Sequence, residues 1–306
     1  AMCEAAKSAG ATGAKIFGSG GGGCMLAMVP RKDGTSDLKL IEKVKGAIES
    51  VEGTIAYHVQ SEPGAIWREG LEKVKNPVVV LAGGASSRMK RKVDGLSDRA
   101  SQDVGSRPKA MLRVGSEGTP FLSLLIDRIK SEGSNYVVVI IGEKDDVTQD
   151  YFEENPVDGV VLNFTIQQIP EGREKTLGTS QAVEVALKNN SNLLGHSIVA
   201  CNGGNMPPKG SFEAIFKHES AMLAYDSAKL GLPDDRTSAF AVVSMDDCGA
   251  LKRIVEKPTP DVASKFVGDD GVLRVSMNTF RLPYLDFMKI AMECPMNEER
   301  GEKELP

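Results

Sequence analysis

The residues able to do chemistry concentrate in one stretch. Val78–Leu81 is an apolar run that leads into Gly83-Gly84, then Ser86-Ser87 and Arg88. A long polar loop follows and closes on Arg107-Pro108-Lys109. Glycine, lacking Cβ, lets a backbone approach an anion closely and adopt positive φ. The two serines favour a helix start, whose N–H groups face an anion. Arg88 and Lys109 add fixed positive charge. The pattern reads as a phosphate cradle, with the loop returning Lys109 to the side of the glycines. An ordinary strand–turn–helix junction would explain the glycines and serines, but not Arg88 and Arg-Pro-Lys together.

The stretch resembles the signature of the sugar-1-phosphate nucleotidyltransferases, in which a strand leads to L-A-G-G, an Arg and a loop ending in R-P-K. Leu81, Ala82, Gly83, Gly84, Arg88, Arg107, Pro108 and Lys109 match it. The molybdopterin nucleotidyltransferases carry a similar L-A-G-G-x-S-S-R-M-like run on the same fold, but usually reach their Lys by a shorter route. The first resemblance implies transfer of a nucleotidyl group from an NTP to a sugar 1-phosphate, giving an NDP-sugar and pyrophosphate. Arg88 and Lys109 would stabilise charge on the triphosphate, and Leu81, Ala82, Gly83 and Gly84 would bind the nucleotide.

Further motifs follow in the family's order. Gln167-Gln168-Ile-Pro, then Leu177-Gly178-Thr179, resembles the base-recognition segment. A strand-end Gln offers both donor and acceptor to a base edge. Gln167 has the better spacing from Pro170 and is preferred to Gln168. Gly178 would lie against the base, and Thr179 would cap the following helix and bond a ligand. A turn followed by a helix cap is the plainer account. Glu256-Lys257-Pro258 resembles the E-K-P motif, in which Glu256 would accept from sugar hydroxyls and Lys257 would pair with the sugar phosphate as a point charge. Asn278, a polar residue in an apolar strand, looks like the family's sugar-contacting Asn.

One position departs. After the strand ending at Cys201, the family has Gly-Asp, and the Asp holds Mg²⁺. Here the run is Asn202-Gly203-Gly204-Asn205, with Gly204 at the Asp position. Mg²⁺ is a hard cation that takes oxygen ligands, and glycine has no side-chain oxygen. The resemblance thus implies Mg²⁺ as cofactor while leaving its ligands unknown. Restoring the carboxylate by Gly204→Asp is expected to give a Mg²⁺-dependent gain in rate. A non-catalytic module binding nucleotide or sugar phosphate is the alternative that Gly204 favours.

The elements that must position these residues alternate. Apolar runs at 136–141, 160–168, 197–201, 239–244, 251–256 and 272–280 read as strands. Helical periodicity marks 121–130, 147–154, 179–188, 211–219 and 284–294. Such alternation predicts an α/β, Rossmann-like, mostly parallel sheet with ligands at the carboxyl ends of its strands.

The leading segment is of another kind. A helix end stopped by Gly10 and Gly13 precedes a strand, a glycine-rich turn at 18–23 and a second strand. A helix follows on Leu38, Ile41, Val44, Ala47, Ile48 and Val51, then an alternating strand at 54–60. Ala14, Lys15, Gly18, Gly20 to Gly23 and Cys24 resemble the third motif of the GHMP sugar kinases, with Phe17 and Ser19 as departures. Residues 1–72 are thus expected to be a GHMP kinase C-terminal fragment forming a small α+β segment. Residues 67–77 form the joint, and 73–306 a nucleotidyltransferase domain truncated at its C-terminus. The resemblance implies a bifunctional kinase and nucleotidyltransferase, in which the kinase makes the sugar 1-phosphate that the second domain consumes.

Composition bounds the partners. The 306 residues carry a net charge of −5, which argues against a general nucleic-acid binder. The basic run 88–92 therefore suits a small anion or open solvent. Five cysteines without metal-ligand spacing suggest reduced thiols in a cytoplasmic setting. No run of membrane-spanning length is present. The expected partners are an NTP and a sugar 1-phosphate, with neither nucleic acid nor membrane.

Overall fold

A computed structural model describes residues 1–17, 24–32, 35–51, 54, 56, 74–84, 103, 106–173, 175–232, 240–297 and 301–305. The catalytic candidate Arg88, Ser86 and Ser87, the turn at 18–23, most of the strand expected at 54–60 and most of the joint at 67–77 lie outside these residues. The chain divides into two compact units, Ala1–Leu71 and Glu72–Pro306.

In the first unit, α1 (Met2–Ser8) leads into an antiparallel hairpin of β1 (Gly13–Phe17) and β2 (Cys24–Met28). A two-residue pair, β3 (Arg31–Lys32) with β4 (Thr35–Ser36), precedes α2 (Leu38–Glu49). Asp37 starts α2, its carboxylate accepting from the N–H of Leu40 at 3.0 Å. The helical spacing puts Val44 and Ile48 on one face, where they pack with Ala6, Ala9 and Ala11. Alanine on α1 allows the two helices to approach closely. Among the described residues, β1 and β2 pair only with each other.

Among the described residues, the second unit is built on an eight-stranded sheet. Its strands are β5 (Val78–Leu81), β8 (Tyr136–Gly142), β9 (Val161–Gln167), β10 (Ser197–Asn202), β11 (Ala221–Asp226), β12 (Ala241–Met245), β13 (Leu251–Val255) and β14 (Arg274–Pro283). The order is β13-β12-β14-β10-β5-β8-β9, with β11 on β14. A short pair, β6 (Arg113–Val114) with β7 (Thr119–Pro120), stands apart. The central strands β10, β5, β8 and β9 run parallel, and those beyond β10 add on antiparallel.

A parallel strand is covered on both faces, so its sequence is apolar throughout. Val78, Val79 and Val80, and Val137 to Ile140, are fully buried for that reason. Alternate side chains take opposite faces. Val78, Val80, Val137, Val139 and Ile141 meet Leu122, Leu125, Ile126 and Ile129 of α3 (Phe121–Ser131). Burying each of those four stabilises the fold by roughly 1.5–3 kcal/mol. Across the sheet, α5 (Thr179–Asn189) packs on β5, β8 and β9 and against α8 (Tyr284–Glu293). The Tyr284 hydroxyl donates to the Leu187 carbonyl at 2.7 Å, and the Ser180 hydroxyl to that of Ala291 at 3.1 Å.

Among the described residues, the remaining α-helices are α4 (Val147–Glu154), α6 (Ser211–Ile215) and α7 (Pro260–Ala263). Helix α6 is shorter than its periodicity predicts, and β11 has no counterpart in the sequence reading. The run Ala221–Asp226 is apolar up to Tyr225 without alternation, is half-buried throughout, and takes its place as a strand by pairing with β14.

Candidate functional site

The chain passes from β5 to β8 and β9 on one side, then returns to β10 on the other. The crevice beyond the carboxyl ends of β5 and β10 is therefore a topological switch point, where ligands bind in open α/β sheets. A cleft of about 530 Å³ opens there, lined by Leu81, Gly83 and Gly84, Arg107 and Pro108, Gln167, Gly178 and Thr179, and Asn202.

Sheet register persists one residue past β5, with the Ala82 N–H donating to the Ile140 carbonyl at 2.9 Å. The turn then lies tight against β8. A Cβ on Gly83 would stand 3.2 Å from the Ile141 carbonyl carbon and 3.3 Å from the Gly142 nitrogen. Over Gly84, by contrast, nothing lies within 4 Å of where a Cβ would be. The turn thus presents bare backbone to the cleft.

The Arg-Pro-Lys run is fixed from two sides. Downstream of Lys109, Ala110 and Met111 are buried in the sheet core. Upstream, the carboxylate of Asp103, 2% exposed, binds Arg113 in fork geometry, with Nη2 at 2.7 Å from Oδ1 and Nε at 2.9 Å from Oδ2. Arg107 joins it at 3.4 Å and donates its backbone N–H to the Asp103 carbonyl at 2.8 Å. The bonds from Arg113 hold the Asp103 carboxyl below its ordinary value against the opposing effect of burial. Lys109 itself points towards β10. A Cβ built on Gly204 would stand 2.8 Å from its Nζ, 2.9 Å from Cε and 3.3 Å from Cδ.

At the far wall, Gln167 is 3% exposed and donates from Nε2 to the Gly178 carbonyl at 2.8 Å and to Gln181 at 2.6 Å. Gln168, just past β9, lines a separate groove with Asn163 and Asn190 and not this cleft. Gly178, with φ 98°, is the N-cap residue of α5. A Cβ there would stand 2.5 Å from the Lys303 carbonyl oxygen. That carbonyl also accepts the Ser180 N–H at 2.9 Å, so a neighbouring backbone satisfies the helix start without a side-chain cap. The Thr179 hydroxyl accepts the Leu305 N–H at 2.8 Å. Gly178 is therefore required by packing against residues 301–305, and Thr179 does not act as the cap that its position suggests.

The sugar-side candidates stand further along the sheet. Glu256 and Lys257 are exposed just past β13, with Lys257 at φ 42°. Neither lines the cleft described above. Asn278, at φ 58°, sits where β14 changes partner from β10 to β12. Its backbone lies in a left-handed region that Asn tolerates better than most residues. Asn205 donates to the adjacent Met277 carbonyl at 3.2 Å, which ties the end of β10 to this bend.

Sequence reasoning missed several residues. Asp103 carries no local signal, because its partners are brought to it by folding. Glu302 and Glu304 line the cleft from a charged segment that resembles nothing chemical. Asp145 and Glu143 also line it, but both carboxylates are engaged, the first on the Val147 and Thr148 N–H groups and the second on that of Ile169. The Cys201 thiol, buried beneath the cleft in β10, is pushed up to about 12 by desolvation and is a packing group.

The Mg²⁺ that the resemblance implies can be tested against these residues. No group of three or more His, Cys, Asp or Glu able to hold a metal exists among the described residues. Position 204 has no side chain, and the Lys109 side chain fills the space where one would begin. The residues at the end of β10 therefore do not fit a carboxylate-held cation. No helix among the described residues is long and apolar enough to cross a membrane.

The nucleotidyl transferase family matches residues 77–272, more than half of the chain. The GHMP kinase C-terminal family matches residues 1–48. The bifunctional GlmU proteins of Exiguobacterium sp. and Geotalea uraniireducens are 25% identical over 178 and 182 residues, 58% of this chain in each case. The matched part spans 33% of each of them, so the chain covers about a third of these relatives. Among solved structures, HddC from Yersinia pseudotuberculosis is 20% identical, with a TM-score of 0.44 over 70% of this chain and 79% of that one. Its complex with GMP-PN gives 21% identity and a TM-score of 0.43 over 72% and 80%. The chain belongs to the nucleotidyl transferase family and carries, ahead of that domain, a segment of the GHMP kinase C-terminal type.

Proposed function

We propose that the second unit transfers a nucleotidyl group from an NTP to a sugar 1-phosphate. The supporting observation is convergence. Gly83 and Gly84, Arg107 and Pro108, and Gln167, Gly178 and Thr179 are far apart in sequence, yet they line one cleft at the switch point of the sheet. An oxygen of the sugar phosphate attacks the α-phosphorus in line. The bond from the α-phosphorus to its bridging oxygen breaks, and pyrophosphate leaves with that electron pair. The bare turn at Gly83-Gly84 receives phosphate oxygens, and Lys109, with Arg88 by resemblance, offsets their charge. Glu256, Lys257 and Asn278 are assigned to the sugar phosphate on resemblance. Catalysis of this kind is positioning and electrostatic stabilisation.

The leading unit suggests that this activity is paired with a GHMP-type kinase in a bifunctional protein, supplied with the sugar phosphate that the kinase would make. Gly204 favours a second reading, a module that binds nucleotide without transferring it. Both are tested by incubating the protein with each NTP and a panel of sugar 1-phosphates and following pyrophosphate. Release with one pair is expected. Nucleotide binding with no release for any pair leaves only the binding module. Lys109→Ala should weaken triphosphate binding by roughly a hundred-fold, the cost of losing a directed charge contact, with an unchanged melting temperature. Undiminished binding would remove Lys109 from the site.

A further inference from the structure

The position that departs from the family pattern and the lysine of the Arg-Pro-Lys run are the same place in space. Gly204 lies 95 residues from Lys109 in the chain, since 204 less 109 is 95. In the fold, however, the Lys109 Cδ, Cε and Nζ stand 3.3, 2.9 and 2.8 Å from where a residue-204 Cβ would be. Real Cβ atoms do not tolerate the two shorter contacts, so any side chain at 204 must displace the ammonium. The Gly204 backbone has no positive φ that would require glycine. The neighbouring ammonium is thus the feature that benefits from the missing side chain.

Resting on the nucleotidyl transfer reading, we infer that Lys109 and Gly204 form one device, in which the lysine ammonium, and not a carboxylate-held divalent cation, supplies the positive charge at the end of β10. The glycine makes room, and the lysine supplies positive charge at the end of β10, where the Gly203 N–H donates to the Leu81 carbonyl at the end of β5 at 2.9 Å. Both a carboxylate-held Mg²⁺ and this ammonium bring positive charge to the carboxyl end of β10. The difference lies in what the charge depends on. A covalently attached ammonium needs no metal in solution, so triphosphate binding becomes independent of divalent cations. The expected effect of Gly204→Asp is thereby reversed. Its Cβ would push Lys109 aside, and its carboxylate would pair with the ammonium and cancel the charge offered to phosphate.

The test is isothermal titration of the protein with the ribonucleoside triphosphate that raises its melting temperature most, in MgCl₂ and again in EDTA. Binding by the parent protein should change less than about threefold between the two, far below the tenfold that 1.4 kcal/mol represents. Gly204→Ala adds only the Cβ, and what must move is the flexible end of a lysine. Its unliganded melting temperature should match the parent's, and its affinity should fall roughly ten- to a hundred-fold in both buffers, the worth of one charged hydrogen bond. Gly204→Asp should lose as much in EDTA. If Gly204→Ala does not fold, Lys109→Met carries the test, because removing an exposed ammonium should give the same loss in EDTA. A tenfold or greater loss by the parent on chelation, or a folded Gly204→Ala or Lys109→Met that binds as the parent does, overturns the inference while leaving nucleotidyl transfer standing. Failure of every triphosphate to bind in either buffer overturns the functional reading instead, and the inference falls with it.

Discussion

At the scale of single residues, the cleft depends on carboxylates that do not face a substrate. Asp103 is the clearest. It is nearly inaccessible, and two arginines converge on it, one from within the Arg-Pro-Lys run and one beyond it. Its folded acidity is raised by Arg113, so its carboxyl titrates below the ordinary range. A depressed folded value stabilises the fold above the unfolded value and ceases to do so as pH falls through the folded one. Asp103→Asn should therefore cost about 1.5–3 kcal/mol at neutral pH, the usual worth of hydrogen bonds to a charged group. The gap to the parent should narrow once the pH drops below about 4. Urea melts of both proteins from pH 7 down to pH 3 would check this, and a gap that widens with acid would assign the stability to another group.

At the scale of elements, the loop after β10 is held by the residue that ends α3. The Glu132 side chain, 6% exposed, accepts from the N–H groups of Gly210 at 2.9 Å, Phe212 at 2.8 Å and Glu213 at 3.3 Å. It serves as the cap that α6 lacks in its own sequence, and its negative charge meets the positive helix end. Arg128, one turn earlier on α3, donates to the Pro207 carbonyl at 3.2 Å in the same loop. Two contacts from one helix thereby fix the path from Gly204 to α6. Glu132→Ala would leave three N–H groups without their acceptor and should cost about 2 kcal/mol, towards the upper end of helix-cap losses. A lower urea midpoint at unchanged slope would register that loss. An unaltered midpoint would mean that water replaces the carboxylate at no cost.

At the scale of the whole molecule, the two units have separate cores. Ala6, Ala9, Ala11, Val44 and Ile48 serve the first, and the sheet and its covering helices serve the second. Each described lining residue of the cleft belongs to the second unit. Residues 72–306 expressed by themselves should therefore fold cooperatively and bind triphosphate within about threefold of the whole chain, a difference well under 1.4 kcal/mol. Calorimetric titration of both forms would decide it. Loss of binding from the isolated unit would show that the leading unit contributes to the site.

What the sequence determined by itself is what depends on near neighbours in the chain. The buried strands were legible because both faces of a parallel sheet are covered, so Val78–Leu81 and Tyr136–Gly142 are apolar without a break. Helices α3, α4, α5 and α8 were legible because their apolar residues recur every three or four positions. The Gly83-Gly84 turn was legible because its glycines directly follow an apolar strand, and a Cβ on Gly83 would stand only 3.2 Å from the Ile141 carbonyl carbon. Contacts between distant residues were decided by the tertiary structure. Asp103 reads as one more polar loop residue until Arg107 and Arg113 are folded onto it. Gly178 reads from its neighbours as a ligand contact, and only the fold adds that the Lys303 carbonyl fills the space a side chain there would need. Gly204 reads as a missing metal ligand, because a sequence shows which side chain is absent and not which one stands in its place. Sheet order brings the end of β10 beside the end of β5, and only that juxtaposition puts the Lys109 ammonium where the carboxylate would have been.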